Sequence, residues 1–311
     1  MNLKPEINTK LYGYSDFFSS LNSIYEKKTL PNKIIFSGNK GIGKSTFAYH
    51  FINFIFSQNE DYKYDIKNNT ISENNRSYNL IKNGVHPNFF LISSNPEKSN
   101  SQITKVREMI NYTNKSSFNN QYKIILIDNI EYLNLNSINA LLKIIEEPND
   151  KVLFLLIHDN KKKIIDTLYS RCIKFNFFLN KEKKSEIINK LLNNNFYSNL
   201  NNDFKNIYNS PGDIVLLNDF FKNNDIDETI SIDDFLKLLI NKSLFKKNTY
   251  IKSNLSYFIE LYFFKKIYSL NSKVKVHNLY KYFVSKISNC NKYNLDIDSV
   301  LIEFNGKVLN G

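Results

Sequence analysis

The most informative chemistry in the sequence is an eight-residue segment that could bind phosphate. It reads GNKGIGKS at 38–45 and fits the pattern GxxxxGK[ST]. Its glycines allow backbone N–H groups to turn toward phosphate oxygens, and a following helix adds the partial positive charge of its N-terminus. In this pattern the lysine, Lys44, reaches the β- and γ-phosphates, and the hydroxyl of Ser45 ligates Mg²⁺. The segment therefore predicts a binding site for ATP or ADP.

A second candidate is Asp128, which ends the apolar run KIILID at 123–128. P-loop nucleotide hydrolases place a carboxylate at the end of such a strand to orient Mg²⁺ and its waters. Hydrolysis commonly uses a further acid directly after it, but this chain has Asn129, whose amide cannot accept a proton. Glu131 is either a substitute for that acid or a solvated loop residue. We therefore expect intrinsic ATPase activity to be weak or absent.

Short apolar runs alternate with amphipathic stretches around these residues. The phosphate-binding segment directly follows the first run and opens the first helical pattern. Fully apolar strands of this length are typical of a parallel sheet covered by helices on both faces. The pattern predicts an α/β P-loop domain with a doubly wound parallel sheet. The strands are expected at 33–36, 89–92, 123–128, 152–157 and 173–177, and the helices near 44–57, 103–116, 135–146 and 161–169. The Asn-rich stretch 57–83 is expected to be a flexible surface insertion.

Helical periodicity replaces the strand pattern in the last part of the chain. It is clearest in KEKKSEIINKLLNNN at 181–195 and SPGDIVLLNDFF at 210–221. We predict a P-loop domain at 1–178, a small helical domain at 179–217 and a helical C-terminal domain at 218–311.

Charge is a weaker guide to function than these motifs. The 311 residues contain 42 Lys+Arg and 30 Asp+Glu, a net charge of +12, which raises the possibility of an acidic partner such as nucleic acid. Only Arg76, Arg107 and Arg171 are arginines, and the lysine excess resembles AT-biased codon usage. The Lys- and Tyr-rich C-terminal helices either bind DNA or form a helical domain with aromatic core faces and solvated lysines.

The cysteines and hydropathy exclude other classes. Cys172 and Cys290 cannot supply a four-ligand zinc site, and a reduced protein is the simplest interpretation. No apolar run reaches the length of a membrane span, and the first residues lack the apolar segment of a signal peptide. We expect a cytoplasmic protein without zinc or a membrane partner.

Several longer strings resemble one known family. The string DNIEYLNLNSINALLKIIEEP at 128–148 is followed by SRC at 170–172, and LYGYSDFFSSLNSIYEKKTLPNKIIFSGNKGIGKST occupies 11–46. GVHPNFFLI at 84–92 and ITKVREMINYTNKSSFNNQYKIILIDN at 103–129 continue the match. Together, over about 11–217, they resemble the bacterial clamp-loader subunits of the AAA+ superfamily, with the delta-prime pattern of DNA polymerase III.

The resemblance implies a hetero-pentameric ring with gamma/tau and delta subunits that loads a sliding clamp on primed DNA. The chain would be a non-polymerising subunit of a DNA-directed DNA polymerase holoenzyme, with 179–217 as its lid and 218–311 as its collar. Arg171 matches the arginine finger that reaches ATP on the neighbouring motor subunit. Its alternative is a structural ion pair with a local carboxylate such as Asp166. The implied nucleotide-binding residues are Gly38, Gly41, Gly43, Lys44, Ser45 and Thr46, with Ser45 and Asp128 at Mg²⁺.

The chain also departs from the family. The lid helix often begins SPGR, whose arginine contacts nucleotide, but here Asp213 takes that place and would repel phosphate. The four zinc-binding cysteines of some relatives are missing. His158 is either a sensor of the γ-phosphate, by its position, or a satisfied polar group. Two other functions remain open at this point: a free-standing P-loop ATPase or small-molecule kinase, and a basic DNA-binding AAA+ protein.

Overall fold

The computed structural model describes residues 4–94, 99–147, 151–192, 195–205, 209–269, 273–293 and 295–310. The chain folds as two compact units. The first consists of Met1–Lys190 with Ser210–Gly212, and the second of Leu191–Asn209 with Asp213–Gly311. The three-domain division with boundaries after 178 and 217 stays a prediction.

A five-stranded parallel sheet forms the centre of the first unit. Its strands lie in the order β2-β3-β4-β1-β5, and every neighbouring pair is parallel. The strands are β1 (Lys33–Gly38), β2 (Phe89–Ser93), β3 (Lys123–Asp128), β4 (Val152–Asp159) and β5 (Ile173–Asn176). Each lies within two residues of the apolar run that predicted it, so the prediction of a parallel α/β sheet is confirmed.

Helices cover both faces of this sheet. Alternate residues of a strand point to opposite faces, and in β1 Ile34 and Phe36 join one core while Ile35 joins the other. The first core includes residues of α1–α3 and the second includes residues of α4–α6. The helices of this part are α1 (Ser15–Glu26), α2 (Lys44–Phe56), α3 (Arg76–Lys82), α4 (Ser99–Thr113), α5 (Leu135–Glu146), α6 (Asp166–Tyr169) and α7 (Lys181–Leu192).

The Asn-rich stretch 57–83 is a packed part of the first unit, so its prediction as a flexible surface insertion was wrong. Four of its side chains, Tyr64, Ile71, Tyr78 and Ile81, are buried in the first core. The stretch also forms α3, which the sequence patterns did not predict. Asparagine content indicated a loop, but here the apolar residues between the asparagines anchor the segment.

The helix expected at 161–169 is much shorter in the structure. Only Asp166–Tyr169 is helical, and the residues from Lys161 to Ile165 form a turn and extended backbone. The exposed lysines at 161–163 provide no apolar face, whereas Leu168 is fully buried and holds the single helical turn in place.

The second unit is helical in its described residues. Phe235 is fully buried there, and its ring lies within 5.2–5.4 Å of the rings of Phe204, Phe221 and Phe258. Its helices include α8 (Phe196–Asn199), α9 (Asn202–Lys205), α10 (Pro211–Asn223, which starts in the first unit), α11 (Ile232–Asn241), α12 (Thr249–Ser253), α13 (Leu255–Ser269), α14 (Lys273–Tyr293) and α15 (Asp298–Phe304). Within the described ranges, no helix combines the length and apolar character needed to span a membrane.

Candidate functional site

The segment 38–45 forms a loop between the carboxyl end of β1 and the start of α2. Gly41 and Gly43 have φ of 77° and 97°, in the left-handed region that favours glycine. A Cβ on Gly38 would lie 2.6 Å from the carbonyl oxygen of Phe177, so this position also excludes a side chain. The local structure therefore requires glycine at each of these three positions. The loop also lies between a strand and a helix, as the phosphate-binding pattern requires.

The ammonium group of Lys44 lies inside this loop. Its Nζ donates to the carbonyl oxygens of Gly38 and Asn39, both at 2.7 Å, and the side chain is 5% exposed. Burial lowers the pKa of Lys44 to about 8, against the opposing effect of nearby carboxylates, chiefly that of Asp159. The loop thus holds a cation where the motif expects one to meet the β- and γ-phosphates.

Ser45 and Asp128 come together from segments 83 residues apart. The Ser45 hydroxyl donates to Oδ1 of Asp128 at 3.1 Å. Burial raises the pKa of Asp128, while the Ser45 hydrogen bond and the charge of Lys44 oppose that shift. A hydroxyl and a carboxylate at this distance are oxygen ligands of the kind Mg²⁺ uses beside phosphates, so the residues present fit a magnesium nucleotide.

The residues after Asp128 lack the usual catalytic acid beside it. Asn129 takes that place with left-handed backbone angles. The nearest substitute, Glu131, is half-buried, and its Oε2 accepts from the backbone N–H of Asp159 at 3.3 Å. Glu131 is close enough to raise the pKa of Lys44 through its charge.

Other parts of the first unit pack directly on the loop. The N–H of Gly212 donates to the carbonyl oxygen of Gly41 at 3.0 Å, and the Tyr14 hydroxyl donates to that of Ile42 at 2.8 Å. A Cβ on Gly41 would lie 2.1 Å from Oγ of Ser210. The start of α10 and the residue before α1 therefore hold the loop in its conformation.

His158 is hydrogen-bonded on both ring nitrogens. Nδ1 lies 3.1 Å from Oγ of Ser37, and Nε2 lies 2.8 Å from the carbonyl oxygen of Lys162, which can only accept. Nε2 therefore donates to this carbonyl oxygen, and Nδ1 shares a hydrogen bond with the serine hydroxyl. This geometry favours the interpretation of His158 as a satisfied polar group.

Arg171 lies at the surface between α6 and β5. Its NH2 is 2.7 Å from Oε1 of Glu146, the last residue of α5, and its NH1 donates to the carbonyl oxygen of Thr167 at 2.8 Å. The arginine side chain is 37% exposed and the glutamate 50%. Arg171 therefore pairs with a local carboxylate, as the structural alternative expected, but the partner is Glu146 and not Asp166.

The sequence predicted the loop at 38–45 and the candidate Asp128, whose role in binding stays a prediction, but it did not indicate their structural partners. Tyr14, Ser210 and Gly212 reach the loop from distant segments, and Glu146 reaches Arg171 from 25 residues away. A usable signal existed for Glu146, because it belongs to the IIEEP string that precedes the SRC motif. The remaining arginines, Arg76 and Arg107, are exposed on α3 and α4.

Comparison with known proteins identifies one family. The sequence profile described as "DNA polymerase III, delta subunit" matches residues 13–180, more than half of the chain. The delta-prime subunit of DNA polymerase III from Buchnera aphidicola subsp. Baizongia pistaciae is 36% identical over 154 residues, 47% of this chain and 44% of that protein. The gamma subunit from Buchnera aphidicola subsp. Schizaphis graminum is 26% identical, over 60% of this chain and 49% of that protein. The chain thus matches about half the length of these relatives.

Likeness to solved structures is weaker. A gamma subunit-related protein of DNA polymerase III from Thermotoga maritima superposes with a TM-score of 0.48 at 14% identity, covering 92% of this chain and 96% of that chain. The description of the fold rests on the strand order and registers given above.

Proposed function

Since the chain belongs to the DNA polymerase III delta-subunit family, among the clamp loaders of the AAA+ superfamily, we propose that it acts as a delta-prime subunit in DNA replication. In this role it is one member of a hetero-pentameric ring with gamma/tau and delta subunits. The ring uses ATP to load a sliding clamp on primed DNA. The chain donates Arg171 to ATP bound by the neighbouring motor subunit.

The position of Arg171 relative to the chain's own loop carries this proposal. β5 runs parallel to β1, with Ile173 beside Ile34 and Asn176 beside Ser37. Arg171 therefore lies near the amino end of the sheet, whereas the loop begins at Gly38 at the carboxyl end. Four residue steps of about 3.3 Å along β1 separate the level of Ile173 from Gly38 by roughly 13 Å, and Arg171 lies beyond Ile173 on the far side from the loop. An arginine at that distance cannot serve its own phosphate site, but it is exposed and available to another subunit.

The chain's own loop is proposed to bind ATP or ADP and to hydrolyse it slowly or not at all. Backbone N–H groups of the loop and Lys44 bind the phosphates, and Ser45 and Asp128 hold Mg²⁺, which neutralises phosphate charge when bound. Asn129 orients a water by hydrogen bonding but removes no proton from it. The Glu131 carboxylate is already engaged with the backbone of Asp159.

Ion pairs within the second unit favour a structural role for part of its positive charge. Among the described residues, Lys265 pairs with Asp203 and Asp233, and Glu303 accepts from Lys286 and Lys307. These lysines neutralise acids of the same unit, as expected for a helical collar. Direct contact with DNA through this unit is therefore the less favoured of the two interpretations.

The test is the ATPase activity of the ring reconstituted with the gamma and delta subunits of the same organism. We expect Arg171→Ala to lower DNA-stimulated hydrolysis at the ATP site of the neighbouring motor subunit by about 10³-fold while the ring still assembles, since arginine fingers contribute about 10³–10⁵. Arg171→Lys should restore little of the rate that Arg171→Ala loses, because an ammonium group cannot reproduce the planar fork of a guanidinium. An unchanged rate in the Arg171→Ala ring would refute the finger.

The isolated chain provides the comparison with a free-standing ATPase. It should bind labelled ATP, lose that binding in Lys44→Ala, and show little turnover. Rapid turnover by the isolated chain that is abolished in Lys44→Ala would instead support an independent ATPase.

A further inference from the structure

The carboxylate of Glu146 lies between the end of α5 and the guanidinium of Arg171. It bonds NH2 at 2.7 Å, and the carbonyl oxygen of Thr167 accepts from NH1 at 2.8 Å. These two contacts fix the plane of the guanidinium from two directions, one from α5 and one from α6. An arginine with only one of them could rotate about the remaining bond.

Stability does not account for this pair. Both side chains are substantially exposed, and exposed ion pairs contribute on average less than about 1 kcal/mol. The pair also leaves some N–H donors of the arginine unused. A guanidinium has five N–H donors in a rigid fork, and the two contacts use two of them. The arginine therefore keeps donors for an anion while its orientation is held.

We propose that Glu146 is a positioning residue that preorganises Arg171 for the phosphate of the neighbouring subunit. The inference rests on the finger role proposed above and assigns a function to a second residue of this chain. Without Glu146, the long arginine side chain samples several rotamers before each productive contact. Ordering such a side chain at an interface costs about 0.5–1.5 kcal/mol, a factor of roughly 2–12.

The test uses the same reconstituted ring with Glu146→Gln and, as a matched control, Glu147→Gln. Glu147 is the next residue and is exposed, but it makes no described contact with Arg171. We expect Glu146→Gln to lower kcat at that neighbouring ATP site by about fivefold with KM for ATP unchanged, and Glu146→Asp to recover part of the loss. Glu147→Gln should match the unmodified ring. Ring mass and melting temperature should be the same in all variants.

The outcomes separate this inference from the finger itself. If Arg171→Ala lowers the rate and Glu146→Gln does not, the positioning role is wrong while the finger stands. A faster rate in Glu146→Gln would show that the carboxylate restrains the arginine, which also overturns the inference. If Arg171→Ala has no effect, the finger role of Arg171 is wrong, and the positioning role of Glu146 is wrong with it.

Discussion

Asn75 shows how much one polar side chain contributes to the packing of the first unit. It is fully buried at the start of α3. Its amide nitrogen donates to Oε2 of Glu60 at 2.6 Å and to the carbonyl oxygen of Tyr62 at 2.7 Å. Its Oδ1 accepts from the side chain of Asn53 at 2.8 Å and from the backbone N–H of Tyr78 at 2.7 Å. A single residue thus joins α2, α3 and the segment between them.

We therefore expect Asn75→Ala to destabilise the protein by about 2–4 kcal/mol, because it leaves several buried donors and acceptors without partners. Urea unfolding of the full chain measures the change. Asn74→Ala is the matched control, since Asn74 is exposed, and it should stay within about 0.5 kcal/mol of the parent. Equal stability of the two variants would contradict the role of Asn75.

The contact between the phosphate-binding loop and the start of α10 can be tested in the same way. Gly41 has φ of 77°, and a Cβ there would lie 2.1 Å from Oγ of Ser210. We expect Gly41→Ala to lower the free energy of unfolding by about 1–3 kcal/mol, because alanine is strained at this left-handed φ and its Cβ crowds Ser210. Adding Ser210→Gly should recover only the crowding part, because the backbone strain remains. This recovery appears as non-additivity in a double-mutant cycle measured by urea unfolding.

Gly306→Ala is the control for that cycle, since a Cβ at Gly306 meets no atom within 4 Å. It should raise the free energy of unfolding by about 0.4–1 kcal/mol, because alanine has less conformational freedom than glycine in the unfolded chain. If Gly41→Ala is also not destabilising, the loop and Ser210 do not pack as described.

Local signals explain which elements could be predicted from the sequence. The five strands and the loop at 38–45 were predicted because each is specified by consecutive residues, namely an apolar run or glycines at fixed spacing. The packing of 57–83 was not predicted, because a high asparagine content is typical of a loop. The sequence does not show that Asn75 is buried. The pairs Arg171–Glu146 and Gly41–Gly212 join residues 25 and 171 positions apart, and no local pattern identifies such partners.

The proposed chemistry is divided between opposite ends of the sheet. Lys44, Ser45 and Asp128 gather at the carboxyl ends of β1 and β3, whereas Arg171 precedes the amino end of β5. In the proposed ring, this polarity gives the subunit one end that binds nucleotide and another that contributes an arginine to a neighbour. The sheet must therefore remain intact for either end to function, and its stability depends on buried groups in the surrounding cores.

Two buried histidines of the first unit should make that stability depend on pH. His50 is fully buried, with Nδ1 3.0 Å from the hydroxyl of Tyr64 and Nε2 3.1 Å from the carbonyl oxygen of Asn8. The ring of His86 stacks on Phe56 with centroids 4.1 Å apart. Burial lowers the pKa of both histidines to about 4. Both are therefore neutral in the folded protein at pH values where an exposed histidine is already protonated.

In the unfolded chain these histidines titrate near their ordinary pKa of about 6.5. Between pH 6.5 and 4 these histidines thus bind more protons in the unfolded state, and their contribution to the free energy of unfolding falls as pH falls. For His50, the difference between a pKa of about 6.5 in the unfolded chain and about 4 in the folded protein corresponds to roughly 3 kcal/mol of unfolding free energy across this window. Urea unfolding at several pH values should show the decrease, and His50→Gln should reduce its slope. Stability that stays constant between pH 6.5 and 4.5 would contradict the neutral burial of His50.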